Sequence, residues 1–181
     1  MSENRRARIT KQCMKDALLE LLEKTPLNKI SVTDICNCAD LNRSTFYAYY
    51  NDIDELLSEI EAEVLAQIPI NVDREDINYE ENFLNALEIL FNYIQSNEKI
   101  FRILMIQSGE RDFNNKLVSF ILERYKNSTD IKDEILAKYG CIFCISGVIG
   151  IVKEWILDGF PINYKHFARL VFQMSIQAVE I

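Results

Sequence analysis

Histidine is nearly absent, with His166 alone in 181 residues, and proline and glycine number only three and five. A single histidine cannot furnish a histidine-rich metal site or an H-E-x-x-H motif, and no G-x-G-x-x-G, P-loop or G-x-S-x-G occurs either. His166 stands beside Lys165 with no serine or cysteine motif attached, which suits a surface or cap role. Asp73-Arg74-Glu75-Asp76 and Glu80-Glu81 read as solvated surface rather than as paired catalytic acids. The chain is therefore expected not to be an enzyme and to need no cofactor and no metal. Cysteines number five, an odd count that argues against a disulfide framework. Cys141-Ile-Phe-Cys144 is a C-x-x-C, but it lies within an apolar helical run and reads as buried thiols, with redox or metal chemistry as the alternative. No apolar run is expected to reach the roughly 20 residues that span a bilayer. The basic, polar N-terminus lacks the apolar stretch of a secretory signal. The expected compartment is the cytoplasm, with no membrane partner.

Apolar residues at 49% and charged residues at 27% describe a globular chain with an ample core. The net charge of -8 argues at first against a polyanionic partner. Charge acts locally, however, because screening limits its reach to about 10 Å. Residues 1–15 hold Arg5, Arg6, Arg8, Lys11 and Lys15 against Glu3 alone, a local +4 ahead of an acidic body. That asymmetry is expected of a protein with one nucleic-acid-facing end.

Scarce prolines and glycines let helices run on, and no alternating strand pattern of useful length is present. Ile9, Cys13, Ala17, Leu18, Leu21 and Leu22 form a stripe over residues 5–24 that Thr25-Pro26 ends. Ser31 or Thr33 offers an N-cap, and Asp34, three residues after Ser31, makes a loose capping box for a helix reaching about Ala39. Asp40-Leu41-Asn42 is a three-residue turn, and Asn42 is an N-cap candidate for a short helix from Arg43 to about Tyr49. A further helix runs from Asp54 to about Gln67, and residues 69–79 read as a linker. Beyond it, stripes such as Phe83/Leu87/Phe91, Phe101/Met105 and Phe113/Phe120/Tyr125 precede a long helix over 130–158. That helix carries Ile131, Ile135, Tyr139, Ile142, Ile145, Ile149, Val152 and Ile156 on one face. Gly159-Phe160-Pro161 stops it, and a last helix spans about 163–179. The expected fold is all α, with about nine helices.

Two short helices joined by a tight turn behind a longer supporting helix form a helix-turn-helix, whose second helix enters the major groove. Here that helix offers Arg43 for a bidentate guanine contact, and Ser44 and Thr45 for bases or phosphates. Tyr47 and Tyr49 supply hydroxyls suited to phosphate. The run from Ile30 through Leu57, with Phe46-Tyr47-Ala48-Tyr49-Tyr50 at its centre, resembles the signature of the TetR family of transcriptional regulators.

The resemblance implies that Arg43, Ser44, Thr45, Tyr47 and Tyr49 contact DNA, that Thr33 bonds a phosphate, and that Phe46 and Tyr50 pack the core. Arg5 and Arg6 join the expected contacts as a basic arm. One departure stands at Ile53, where the family commonly places a phosphate-binding lysine. The resemblance also implies a helix-turn-helix domain over 1–53 and a helical effector-binding and dimerisation domain over 54–181. The partners it implies are double-stranded operator DNA, a second copy of the chain and an unidentified small-molecule effector. It implies a repressor released by that effector; the alternative is a coactivator working through a protein partner. Aromatic and polar groups mark Phe91, Phe101, Met105, Phe120 and Tyr139 as candidate pocket residues, although each also serves as core. Gly147, Gly150, Trp155, Phe167 and Met174 are candidates for the dimer interface. The glycines either permit close approach of a second helix or make room for Trp155. Tyr139, Phe143, Gly147, Gly150, Trp155 and Gly159-Phe160-Pro161 resemble a TetR subgroup that includes regulators of dihydroxyacetone kinase genes.

Overall fold

A computed structural model describes residues 5–68, 78–107, 113–126 and 134–177. Residues 69–77 of the expected linker, Ile131, and the side chains of Tyr125 and Ile135 lie outside the described set. Among the described residues there are nine α-helices and no strand, as the sequence leads one to expect. The chain divides into two compact units. One holds Met1–Ala66 with Ile103–Glu110, the other Gln67–Arg102 with Arg111–Ile181.

The first unit contains α1 (Arg5–Leu22), α2 (Val32–Cys38), α3 (Arg43–Tyr47) and α4 (Ile53–Ala66), with a π-helical turn at Ile103–Gln107. Its core joins Met14, Ala17, Leu18 and Leu22 of α1 to Ile35, Phe46, Tyr50, Leu56, Ile60 and Val64. The turn adds Ile103, Leu104 and Met105. Ile9 and Cys13, expected on the buried stripe of α1, are instead exposed. Each residue turns a helix by about 100°, so once Met14 and Leu18 face inward, Cys13 lies to the side and Ile9 behind.

α4 closes the unit through charge as well as burial. Lys15 is only 5% exposed, and its Nζ lies 2.7 Å from Glu59 Oε1 and 2.6 Å from Glu63 Oε1. Lys11 Nζ sits 3.1 Å from Glu59 Oε2. Burial alone would push the Lys15 ammonium down, but its hydrogen bonds and attraction to both glutamates outweigh this and hold it above its usual value. Glu59 shows the mirror image. Burial would raise it, and the hydrogen bonds from Lys15 and Lys11 hold it below the usual carboxylate value.

The signs fix the pH dependence. A raised Lys15 stabilises fully below the usual lysine value of 10.5 and is lost as pH climbs through its folded value. A lowered Glu59 stabilises above the usual value of 4.5 and is lost as pH falls through its folded value. Stability of the first unit should therefore be flat between these limits. Lys15→Met should cost about 1–2 kcal/mol at neutral pH, since Glu59 keeps its ion pair with Lys11 and the Glu63 carboxylate is half exposed to water. It should also flatten the acid limb, in urea melts read by circular dichroism; an unchanged midpoint would contradict this account.

The second unit comprises α5 (Tyr79–Ser96), α6 (Glu98–Arg102), α7 (Phe113–Lys126), α8 (Glu134–Leu157) and α9 (Tyr164–Gln177). α5 packs along α9, while α6 and α7 pack on α8. Its core is aromatic. The rings of Trp155 and Phe167 stack 4.2 Å apart at an interplanar angle of 5°, and Phe91 meets Phe167 edge-on at 4.8 Å. Arg102 donates from Nη2 to the Ile156 carbonyl at 2.6 Å, satisfying one of the acceptors orphaned at the end of α8.

The end of α8 is a Schellman motif. The Phe160 N–H donates to the Trp155 carbonyl at 2.9 Å and the Gly159 N–H to the Ile156 carbonyl at 3.2 Å. Gly159 and Phe160 take φ values of 71° and 59°. Gly159 does so freely, whereas Phe160 is held there by its ring, 4.6 Å from that of Trp155.

α8 also corrects the expectation about apolar runs. Tyr139–Leu157, 19 residues of mean hydropathy 1.8, is long and apolar enough to cross a membrane. Isoleucines fill its inner side, where Ile145, Ile149 and Ile156 are buried, while Phe143 and Leu157 stand on its outer side. The serine, cysteines and glycines between them disguise the run in the sequence.

Candidate nucleic-acid interface

Two local devices hold the helix-turn-helix. At the start of α2 the Ser31 hydroxyl accepts from the Asp34 N–H at 3.2 Å, while Asp34 Oδ2 accepts from the Ser31 N–H at 2.8 Å. The capping box is thus complete, and the hydrogen bonds from Ser31 hold the Asp34 carboxyl below its usual value. At its end the Leu41 N–H donates to the Cys36 carbonyl at 2.9 Å, and Asp40 adopts the left-handed conformation with φ 52°. Aspartate tolerates that region better than most residues. It thereby turns the chain where a glycine would be conventional. Asn42 then occupies the N-cap of α3, but its side chain makes no capping hydrogen bond, contrary to the role expected of it.

α3 is only five residues long, and burial divides it cleanly. Phe46 is fully buried and Tyr50, just beyond the helix, nearly so. Arg43, Ser44 and Tyr47 are exposed, and Thr45 and Tyr49 half-buried. Thr33, in the first turn of α2, is exposed as well. The Tyr47 ring packs edge-on against Phe46, with centroids 5.6 Å apart. The Arg43 guanidinium carbon lies over the Tyr47 ring, 6.0 Å from its centroid. The surface of α3 therefore presents a cation, hydroxyls and a phenol above an apolar floor, groups that suit base edges and phosphates.

The basic arm is smaller than its sequence suggests. Arg5, Arg6 and Arg8 are exposed on α1. Lys11 and Lys15 turn instead to Glu59 and Glu63. The local +4 assigned to residues 1–15 thus overstates the charge available to a polyanion. The missed signal lay in spacing: Lys11 and Lys15 are four apart on one helix, Glu59 and Glu63 four apart on another. Ile53 is the first residue of α4 and half-buried. The entry to α4 is fixed by its neighbours, with Asp52 Oδ1 accepting from the Glu55 N–H at 2.8 Å and Glu55 Oε2 from the Asn51 N–H at 2.7 Å.

The structure places the other candidates in different surroundings. Phe91 and Phe101 are buried in the second unit and Phe120 is half-buried there, whereas Met105 is buried in the first unit. Tyr139 is 63% exposed, so it faces away from its own unit's interior. Trp155 and Phe167, expected at the dimer interface, are stacked in the core, because the aromatic cluster closes around them. Gly147, Gly150 and Met174 are exposed.

A TetR C-terminal family model, described as "Transcriptional regulator C-terminal region", matches residues 81–177, more than half of the chain. The chain belongs to the TetR family of transcriptional regulators. This regulator is 26% identical over 169 residues to the HTH-type dhaKLM operon transcriptional activator DhaS of Lactococcus lactis, covering 90% of this chain and 87% of that one. A solved structure titled dihydroxyacetone kinase operon activator DhaS aligns with a TM-score of 0.62 at 21% identity, over 96% of this chain and 97% of the other. A TetR transcriptional regulator from Streptococcus agalactiae aligns with a TM-score of 0.71 at 20% identity, over 94% and 96%. These likenesses extend the family's fold to both units, the helix-turn-helix included. TetR-family regulators bind operator DNA and form homodimers.

Proposed function

We propose that this TetR-family regulator is a homodimer that binds operator DNA through the outward face of α3, with Arg43, Ser44, Thr45, Tyr47 and Tyr49 at the bases and backbone. Thr33, Arg5 and Arg6 take phosphates beside them. The observation that carries the reading is the division of α3: polar and cationic groups outward, Phe46 and Tyr50 inward, in the sequence pattern of the family. Residues 1–53 serve as the DNA-binding domain. Residues 54–181 serve as the dimerisation and effector-binding domain, with α4 as their link. A small-molecule effector acts through the second unit by favouring one of two conformers. DNA as the target places the regulator in the cytoplasm.

Release of repression by the effector is the first reading of its action. The DhaS relative is named an activator, and that name favours activation as a second. Either way DNA binding comes first, and a gel shift tests it. The wild-type chain should retard a fragment of its own promoter. Arg43→Ala and Tyr47→Ala should each weaken retardation about tenfold or more, the first by loss of a base-edge contact and the second by loss of a phosphate contact. Retardation by both variants unchanged from that of the wild type would discard direct readout and leave recruitment by a protein partner in its place.

A further inference from the structure

Resting on the DNA-binding reading above, we propose that Tyr47 is the positioning residue for Arg43. Its ring is a platform that fixes the guanidinium to read one guanine in each half of the operator.

The geometry follows from helical spacing. Residues four apart share a face, and helical side chains lean toward the N-terminus, so Tyr47 tilts back over the turn that carries Arg43. The Arg43 guanidinium carbon lies 6.0 Å from the Tyr47 ring centroid, within the range of cation–π attraction. The ring is itself braced. Phe46, fully buried, meets it at 5.6 Å with an interplanar angle of 85°. Phe46, Tyr47 and Arg43 form a chain of two contacts that runs from a fully buried ring to an exposed cation.

The chemistry at the end of that chain is specific. A guanidinium carries its N–H groups in one plane, and guanine alone offers two acceptors, O6 and N7, side by side in the major groove. An arginine on a flexible stem loses rotamer entropy when it holds that plane, and cation–π attraction to a braced ring removes part of the cost before DNA arrives. Tyr47, 51% exposed, keeps its hydroxyl free for a phosphate while its face serves Arg43. Ring and hydroxyl thus have separable roles, one in specificity and one in overall affinity.

The test is selection of binding sites by the full-length protein from a random double-stranded DNA pool, followed by titration against the selected site and its single-base variants. The wild type should select a site with one guanine per half whose replacement by adenine weakens binding about tenfold or more. Arg43→Ala should abolish discrimination at that base pair and leave the others intact. Tyr47→Leu should lose most of the same discrimination, Tyr47→Phe should keep it while losing affinity evenly across sites, and Arg43→Ala/Tyr47→Leu should discriminate no worse than Arg43→Ala. Thermal melts confirm that each variant is folded, as the exposure of both residues leads one to expect. The proposal is overturned if Tyr47→Leu keeps the guanine preference, or if Tyr47→Phe loses it as Arg43→Ala does. A wild-type chain that enriches no sequence overturns instead the DNA-binding reading on which it rests.

Discussion

Phe143→Asp should leave the regulator monomeric at micromolar concentration and weaken operator binding about a hundredfold or more. Phe143 is 72% exposed in the middle of α8, with Tyr139 at 63% one turn before it and Leu157 at 49% near the helix end. α9 adds Leu170 and Met174, both exposed. An apolar face of this extent marks an interaction surface rather than ordinary solvent exposure. Gly147 and Gly150 lie exposed on the same helix, and a Cβ built on either meets nothing within 4 Å. The chain's own packing therefore has no need of glycine there, Trp155 included, which favours close approach by a second helix from outside. Such a face, paired with its copy, also gives α8 a reason to be apolar on both sides without a membrane. An aspartate at its centre would bury a charge with no partner. A monomer holds one α3, and loss of the second forfeits the effective concentration that tethering supplies, worth 10² to 10⁴ in affinity. Sedimentation equilibrium and gel shifts read the two effects together, with Phe143→Leu as the control that should remain dimeric. A Phe143→Asp protein that stays dimeric would move the interface elsewhere.

What the sequence reveals here follows the range of the interactions involved. The capping box at Ser31 and Asp34, the turn at Asp40 and the buried Phe46 and Tyr50 all depend on neighbours within a few residues. Local propensity, spacing and the family pattern find them. Lys11 and Lys15 meet their glutamates across 48 residues of chain, so charge counting near the N-terminus assigned them to the wrong partner. The same limit explains Trp155 and Phe167. Both are large aromatic groups on long helices, and only the turn that brings α9 back beside the end of α8 decides that they face one another rather than a second chain. Ile9 and Cys13 show a different failure. The apolar stripe is broader than the face that is buried, and these two residues lie on the part that turns away from Met14 and Leu18.

Trp155→Ala should cost about 4 kcal/mol of stability, in the range for removing a buried aromatic side chain. Trp155 is 3% exposed, and its loss removes the stack on Phe167 and the edge contacts to Phe91 and Phe160. It also removes a hydrogen bond, because the indole Nε1–H donates to the Ile162 carbonyl at 2.9 Å. That bond and the Phe160 ring contact secure the left-handed turn through Gly159 and Phe160 that sends the chain from α8 into α9. Without them Phe160 stands at φ 59° ahead of a proline, held only by the backbone hydrogen bonds of the Schellman motif. Urea melts followed by circular dichroism, needed because the chain's one tryptophan is lost, should show the midpoint fall with an unchanged slope. The melting temperature should drop by roughly 8–16 °C. Trp155→Phe, which keeps an aromatic ring but no donor, should recover about half of the loss. A change below about 1 kcal/mol for Trp155→Ala would mean that the cluster does not hold the turn. The Trp155 and Gly159-Phe160-Pro161 pattern, which resembles that of a particular TetR subgroup, thus has a sufficient cause in how α8 stops. Trp155→Phe should therefore change stability while leaving the guanine preference proposed for Arg43 where it is.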